Sequence, residues 1–359
     1  MVKIGLRRPV IASAVLITVL SLGWLLRPVA WRPSRATLNL RSSILSHRQG
    51  YNVELVIARA KTERTDWILQ ELPGISSAVY VVDDSSSTEP TGAPQTNKGN
   101  DAIAYLSYIV DNYDALPDIA IFTHAHREGW NNGFLGERSL EVIKRLNGIR
   151  VEREGYVNLR CDWSPGCPHW ISDSEPPSKD SKDTSAANEK QAATFRAVWP
   201  ELHPGIPVPS EVGQACCAQF ATSRDRILAT PRARWNDYRD WLLGTNLTDS
   251  ESSRVWEYTW QYVLAGKAVW CPDMSSCYCD GFGVCFKSPI KMTEWLTEKK
   301  LHDTLLDKYL NAQAVGEEMV GVKIQVDKLA ANLRSTLDKA IVRGDEYLLS
   351  VGNKEGNQV

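Results

Sequence analysis

Two histidines that are separated by one residue, His124 and His126, follow a short apolar segment of the sequence, residues 119–122. Side chains two positions apart on a strand point to the same side, so we predict both imidazoles on one face at a strand end. Imidazole binds transition metals when neutral and attracts phosphates when protonated. We therefore predict that His124 and His126 are catalytic residues that hold a divalent metal such as Mn²⁺ or contact a pyrophosphate. Two histidines that bond to backbone carbonyls are the alternative.

Two acids follow a neighbouring apolar segment, residues 78–82. Asp83 and Asp84 come directly after it, and ligands of α/β folds bind at strand ends. We predict that both aspartates bind substrate, for example through a ribose. A turn closed by an Asp side chain is the alternative.

A turn at residues 97–100 precedes a predicted helix over residues 101–113. Asn97 and Lys98 in this turn are predicted to bind substrate, because a lysine and the free N–H groups of a helix N-terminus both attract phosphate. A solvated turn is the alternative. Trp130 and Asn131, shortly after the two histidines, are predicted to form the wall of an acceptor site.

Glu257 is predicted to be the catalytic base. It lies at helical spacing from Trp260 and Leu264, on an apolar face. Burial raises the pKa of a carboxyl group, and a raised pKa suits a general base. The alternative is a surface ion pair with Arg254, a contact worth about 0.2–0.5 kcal/mol.

The elements that must position these residues alternate between strand and helix. Apolar segments at residues 54–58, 78–82 and 119–122 are separated by helical patterns at residues 66–72 and 101–113. Strands that are apolar on both faces are typical of a parallel sheet covered by helices. We predict an α/β fold with a mostly parallel, Rossmann-like sheet flanked by helices, with an N-terminal transmembrane helix and a C-terminal helical tail.

The composition is that of an ordinary globular protein with little net charge. The chain has 359 residues, a formal net charge of −2 and 43% hydrophobic residues. This balance gives no electrostatic footprint for nucleic acid, so no nucleic-acid partner is predicted. The sequence also lacks Gly-x-Ser-x-Gly, a P-loop and Gly-x-Gly-x-x-Gly, which argues against serine hydrolases, P-loop enzymes and simple dinucleotide binding.

An uncharged segment near the N-terminus predicts a membrane anchor. It runs from Val10 to Leu26 and is flanked by basic residues on both sides. A helix over this segment is about 25 Å long, at the short end for a membrane span. We predict an uncleaved single-pass anchor, and a cleaved signal peptide is the alternative.

The eight cysteines all lie on the C-terminal side of this segment. An even number fits disulfide bonds in an oxidising lumen, and the sequon at residues 246–248 fits a glycoprotein. We predict a membrane protein of the secretory pathway, in the Golgi or endoplasmic reticulum, with a luminal body. The cysteines from Cys271 to Cys285 are predicted to form disulfides, with zinc ligands or free thiols as alternatives. Cys216 and Cys217 are predicted to pair with distant partners rather than with each other.

The predicted organisation has four parts. Residues 1–30 form a cytosolic tail and anchor, residues 31–50 a stem, residues 51–290 the α/β domain, and residues 291–359 a helical tail. A disordered insertion is predicted within the domain at residues 172–190, which are polar and rich in Ser and Pro. An amphipathic stripe in the tail either packs on the body or mediates self-association; it consists of Leu329, Leu333, Leu337 and Ile341.

Several segments together resemble a fungal family, the domain-of-unknown-function family 3431. The resemblance covers about residues 52–287 and rests on eight segments. They are Tyr80-Val-Val-Asp-Asp84, Asn97-Lys-Gly99, Tyr113-Asp-Ala-Leu-Pro-Asp118, Phe122-Thr-His-Ala-His126, Leu159-Arg-Cys-Asp-Trp-Ser-Pro-Gly-Cys167, Cys216-Cys-Ala-Gln-Phe220, Asp240-Trp-Leu-Leu243 and Cys277-Tyr-Cys-Asp-Gly-Phe-Gly-Val-Cys285. Asp101 departs from the family, which more often has Glu there.

A second resemblance is to nucleotide-sugar glycosyltransferases with a Rossmann-like sheet, the GT-A type. Such enzymes have a metal-binding Asp-x-Asp where this chain has His124-Ala125-His126, then a Gln-aromatic strand and a helix with a catalytic carboxylate, here Gln219-Phe220 and Glu257. The resemblance implies transfer of a sugar from a nucleotide-sugar donor to an acceptor. A metal-dependent hydrolase and a non-catalytic luminal scaffold or binding protein are the alternatives.

Overall fold

The computed structural model describes residues 50–83, 98–129, 133, 138–173 and 182–355. No helix within these ranges is both long and apolar enough to cross a membrane. The predicted anchor from Val10 to Leu26, and nearly all of the predicted stem, lie outside the described residues. The anchor therefore stays a prediction.

Strands and helices alternate through the first half of the described chain, as predicted, and helices dominate the second half. The strands are β1 (Val53–Arg59), β2 (Ser76–Val81), β3 (Ile119–His124), β4 (Tyr156–Asn158), β5 (Ile171–Ser172), β6 (Glu211–Gln214), β7 (Phe220–Ser223) and β8 (Val269–Trp270). The helices are α1 (Asp66–Glu71), α2 (Asp101–Asp111), α3 (Ser139–Arg145), α4 (Gly148–Glu154), α5 (Lys182–Leu202), α6 (Arg224–Leu228), α7 (Arg232–Gly244), α8 (Asp249–Glu257), α9 (Trp260–Ala265), α10 (Met274–Phe282), α11 (Pro289–Ala314) and α12 (Val320–Glu355).

The central sheet has five strands in the order β2-β1-β3-β7-β4. β1 pairs in parallel with β2 and β3, whereas β7 runs antiparallel to both β3 and β4. A smaller sheet has the order β5-β6-β8 and also contains both kinds of pairing. The α/β class is confirmed, but the prediction of a mostly parallel sheet is wrong. Only the first three strands carry the long apolar runs on which that prediction was based.

Helices cover both faces of the central sheet. Residues of β1 alternate between two hydrophobic clusters, as the strand period of two requires. Leu55 and Ile57 face a cluster that includes α1, α3, α10 and α12. Val56 and Ala58 face another that includes α2, α7, α8 and α9. β3 lies between the same two clusters.

The C-terminal hairpin of α11 and α12 packs on the body of the protein. Leu333, Leu337 and Ile341 of the predicted stripe are buried in the same cluster as β1. Arg145 of α3 forms a buried ion pair with Asp345 of α12 at 2.9 Å, and it also donates to two backbone carbonyls at the C-terminal end of α10. The stripe thus packs on the body, and self-association through the C-terminal helix stays a prediction.

One part of the predicted disordered insertion is helical. α5 begins at Lys182 and therefore covers residues 182–190, while residues 174–181 lie outside the described residues. The prediction gave most weight to the Ser- and Pro-rich first half of this segment. Its second half contains good helix formers and continues into residues that are buried, among them Phe195 and Trp199.

All eight cysteines form disulfides, which confirms the prediction of disulfide bonds. The pairs are Cys161–Cys277, Cys167–Cys271, Cys216–Cys217 and Cys279–Cys285. The prediction that Cys216 and Cys217 pair with distant partners is wrong. The six other cysteines pair among themselves, and the backbone at Cys217 adopts an unusual conformation, with φ at +90°.

Candidate active site

The end of β3 places His124 at an edge of the central sheet, beside Ala58 of β1. The side-chain oxygen of Gln219 fixes this end, because it accepts the Thr123 hydroxyl at 2.8 Å and the backbone N–H of His124 at 3.2 Å. Gln219 directly precedes β7, the strand that pairs with β3. Because β3 and β7 are paired, this contact ties the position of His124 to both strands.

Asp101, the first residue of α2, faces His124. Its Oδ2 lies 3.9 Å from Nε2 of His124, and only 15% of its side chain is exposed. Its Oδ1 accepts a weak hydrogen bond from the Ser253 hydroxyl at 3.4 Å. Burial raises the pKa of Asp101 to about 7, although the hydrogen bonds to this carboxyl oppose the change. Burial and the nearby charge of His126 lower the pKa of His124 to about 4, so its ring is neutral at pH 7.

Glu257, the last residue of α8, is buried close to this pair. Its Oε1 accepts the backbone N–H of Cys217 at 2.7 Å, and its Oε2 pairs with Arg254. Burial raises the pKa of Glu257 even though both contacts favour the carboxylate. The charges of Asp101 and His124 also act on this pKa. Three titratable groups that lie far apart in the sequence thus meet at one edge of the sheet.

His126 lies beside His124 but pairs with a different acid. Its Nδ1 is 3.1 Å from Oε1 of Glu63, and about half of its side chain is exposed. The centres of the two histidine rings are 6.2 Å apart and the rings are perpendicular. Ala125 between them is buried, and its carbonyl accepts a hydrogen bond from the Trp67 ring. The burial of Ala125 between two more exposed histidines thus agrees with the alternation that the sequence predicted.

Two of the predicted substrate-binding residues are described, and both bond to neighbouring backbone. Asp83 is exposed and accepts the backbone N–H of Lys61 at 2.6 Å. The ammonium group of Lys98 donates to the carbonyl of Leu247, in the loop between α7 and α8. Asp84, Asn97, Trp130 and Asn131 lie outside the described residues. Of the described predicted residues, His124 and Glu257 lie in one cluster, and His126 borders it.

Sequence reasoning missed several groups of this cluster. Asp101 was predicted to begin a helix and was noted where it departs from the family, and Glu63 was given no role. The sequence signal for Asp101 was its place at the first helical position after a glycine-containing turn. No local pattern indicated that residues 216–219 approach both Glu257 and His124, since that contact depends on the antiparallel pairing of β7.

The described residues do not assemble a metal site around the two histidines. The described ligand atoms that cluster tightly enough for a shared ion belong to Cys216, Cys217 and Glu257, and both sulfurs are bound in a disulfide. The rings of His124 and His126 instead face two separate carboxylates. A divalent metal such as Mn²⁺ at His124 and His126 therefore stays a prediction, and no step of the chemistry below depends on it.

Comparison with known proteins identifies one family. A family model described as "Protein of unknown function (DUF3431)" matches residues 55–280, a range that contains β1 to β8 except the first strand residues, and every group of the candidate site. No curated protein and no solved structure matches the chain.

Proposed function

The chain belongs to the DUF3431 family, whose function is unknown, and we propose that it is a glycosyltransferase-like enzyme that moves a sugar from a nucleoside-diphosphate donor to a hydroxyl acceptor. In this proposal the segment from Val10 to Leu26 anchors the protein in the Golgi or endoplasmic reticulum membrane, with the body in the lumen. Four disulfides in the body support an oxidising compartment.

The observation that carries the proposal is the meeting of Asp101, His124 and Glu257. Transfer to a hydroxyl requires a base that removes the hydroxyl proton as the new bond forms. A buried carboxyl with a raised pKa suits that task, and this site holds two of them. Clusters of buried groups with opposed pKa shifts are more common at active sites than elsewhere.

The three groups have different surroundings, which suggests different roles. Arg254 and the Cys217 N–H hold both oxygens of Glu257, so its orientation is fixed and one oxygen can face an acceptor hydroxyl only by sharing these contacts. Asp101 has a pKa of about 7 and a weaker set of partners, so it exchanges a proton readily at neutral pH. Neutral His124 supplies a donor or acceptor that neither adds nor removes charge. We assign removal of the acceptor hydroxyl proton to Glu257. Asp101 is the group that takes this proton from Glu257 or gives it back.

The order of elements supports the same assignment. β1, α1, β2, α2 and β3 follow one another, β3 ends at His124, and an antiparallel strand and a carboxylate-bearing helix come later. This is the order that the resemblance to GT-A type glycosyltransferases implies. The departing diphosphate must be neutralised, and the start of α2 with Lys98 is the predicted place. Lys98 would exchange its bond to Leu247 for the phosphate.

Hydrolysis is the second candidate, because the same groups can activate water in place of an acceptor hydroxyl. The pKa of about 7 at Asp101 suits hydrolysis as well as it suits transfer. The two reactions differ in whether the sugar passes to water or to an added acceptor.

Thermal unfolding of the full-length protein tests the proposal first. A nucleoside diphosphate or a nucleotide sugar at 100 times its dissociation constant should raise the free energy of unfolding by about 2.7 kcal/mol. The measurement is made with UDP, GDP and their common sugar conjugates, with and without Mn²⁺. No stabilisation by any member of this panel would argue for the scaffold alternative and against both enzymes.

Turnover then separates transfer from hydrolysis. Release of nucleoside diphosphate that depends on an added alcohol or sugar acceptor indicates transfer, and release without acceptor indicates hydrolysis. Glu257→Gln should abolish the reaction while the protein remains folded by circular dichroism. Glu152→Gln is the matched control, because burial also raises the pKa of this carboxyl and it lies in α4, beside Asp118 and Asp225.

A further inference from the structure

The turn between β6 and β7 has a strained backbone where it approaches the candidate site. Cys217 has φ at +90° and Ala218 has φ at +48°, a region that residues with a side chain seldom adopt. Two consecutive residues in this region cost free energy, and such strain is found most often where a function requires it.

This turn touches both sides of the cluster. The backbone N–H of Cys217 donates to Oε1 of Glu257 at 2.7 Å, and both sulfurs lie within 4.8 Å of a Glu257 carboxylate oxygen. Two residues later, Gln219 bonds to Thr123 and to the backbone N–H of His124. A segment of four residues therefore holds the predicted base on one side and the histidine on the other.

The disulfide in this turn contributes little as a staple. The other three bridges join residues separated by 116, 104 and 6 positions, whereas Cys216 and Cys217 are adjacent. A disulfide stabilises mainly by restricting the unfolded chain, and this restriction grows with the length of the closed loop. A bridge between neighbours closes no loop of the chain, so its main effect is on the local backbone.

We propose that the Cys216–Cys217 disulfide is a positioning device that locks the turn so that the Cys217 N–H stays on Glu257 and fixes that carboxylate toward the acceptor hydroxyl. This inference rests on the proposed role of Glu257 as the base. Arg254 holds the second oxygen from its own helix, but its side chain is long and 38% exposed. The Cys217 N–H belongs to the backbone of the turn, so its position depends on the turn and on no side-chain torsion.

The test is a carboxyl titration, which needs no substrate. Protein labelled with ¹³C at the Glu carboxyl carbons is titrated by NMR, and the Glu257 signal is identified by its absence in Glu257→Gln. The Cys217 N–H lowers the Glu257 pKa, so the double variant Cys216→Ala/Cys217→Ala should shift the Glu257 titration to higher pH. The matched control, Cys279→Ala/Cys285→Ala, should leave it unchanged.

An unchanged Glu257 titration in Cys216→Ala/Cys217→Ala would overturn the proposal, because the hydrogen bond would then persist without the disulfide. Loss of folded structure in this variant would also overturn it, since the pair would then be a structural staple. Once a reaction is identified, turnover should fall by about 10²-fold, the size expected for a misplaced catalytic group. If the titration shifts but Glu257→Gln remains fully active, the positioning stands and the assignment of Glu257 as base fails.

Discussion

The two edges of the central sheet hold their charged groups in different ways. At the edge where β1 and β3 end, Asp101 and Glu257 are buried and their pKa values are raised. At the opposite edge, before β3 begins, Asp118 pairs with Arg224 at 2.9 Å and accepts the backbone N–H of Asn52 at 2.8 Å. Both side chains of that pair are about one-third or more exposed.

The difference separates a structural use of charge from a chemical one. Water and a close partner compensate the charges of Asp118 and Arg224, so their ionised forms cost the fold little. Burial of Asp101 and Glu257 destabilises their ionised forms more than their partners compensate, and such a cost is found more often at functional sites than elsewhere. The predictions below test this distinction between the two edges.

The largest expected effect is on turnover. Asp101→Asn removes a proton-exchanging group, and general acid–base catalysis contributes about 10²–10⁴-fold to a rate. We expect a loss of this size, measured as nucleoside diphosphate release from the donor found in the thermal screen. Glu152→Gln at the opposite edge should retain the wild-type rate; an equal loss in both variants would remove the distinction between the edges.

The second effect is on stability and compares two arginines. Arg254→Met leaves the buried Glu257 carboxylate without its guanidinium, so we expect a loss of about 1–3 kcal/mol in the free energy of unfolding. Arg224→Met breaks a more exposed ion pair, and its loss should stay below about 1 kcal/mol. Urea unfolding at pH 7 measures both. Equal losses would mean that the two edges bury their charges alike.

The third effect is the dependence of stability on pH. The pKa of Asp101 is raised in the folded state, so between about pH 4 and pH 7 the folded protein holds a proton that the unfolded chain has lost, and stability falls as pH rises. The pKa of His124 is lowered, so from about pH 4 to pH 6.5 stability rises with pH.

Variants at these two positions should therefore change the pH slope in opposite directions. Relative to wild type, Asp101→Asn should gain stability as pH rises across this window, and His124→Asn should lose it. Each difference is at most about 1.4 kcal/mol per pH unit, the value for one proton. Urea unfolding at several pH values measures it, and slopes of the same sign in both variants would contradict the assigned shifts.

The smallest effect concerns Asp83, which lies near the same edge as Asp101 but is exposed. Asp83→Asn should change the free energy of unfolding by less than about 0.5 kcal/mol, as most surface substitutions do. A loss as large as that of Arg254→Met would show that position at this edge matters more than burial.

The sequence was informative where a pattern is local. The apolar runs of β1, β2 and β3 predicted their positions to within two residues, because a strand buried on both faces must be apolar throughout. His124 and Glu257 were predicted to share a site, and the structure places them in one cluster. The helical spacing of Glu257 to Trp260 and Leu264 marked a face that is indeed buried.

Features that depend on long-range pairing could not be predicted in this way. Short strands such as β4 and β7 have no distinctive period. The direction of β7 is set by its pairing with β3, and that of β4 by its pairing with β7, rather than by their own residues. The same contacts bring Gln219 to His124 and Cys217 to Glu257. The pairing of Cys216 with Cys217 was likewise predicted wrongly. The strain of a bridge between neighbours was considered without the turn that accommodates it.

The way α12 packs has a practical consequence for anyone who shortens this protein. The region matched by the family model stops at residue 280, yet Leu333 and Ile341 fill the layer beneath β1, and Asp345 neutralises Arg145 within it. A recombinant version that ended at the family boundary would expose that apolar layer to water and leave a buried guanidinium without its carboxylate. Insolubility of such a truncated protein would then reflect a missing piece of the interior and would say nothing about the chemistry at the far end of β3.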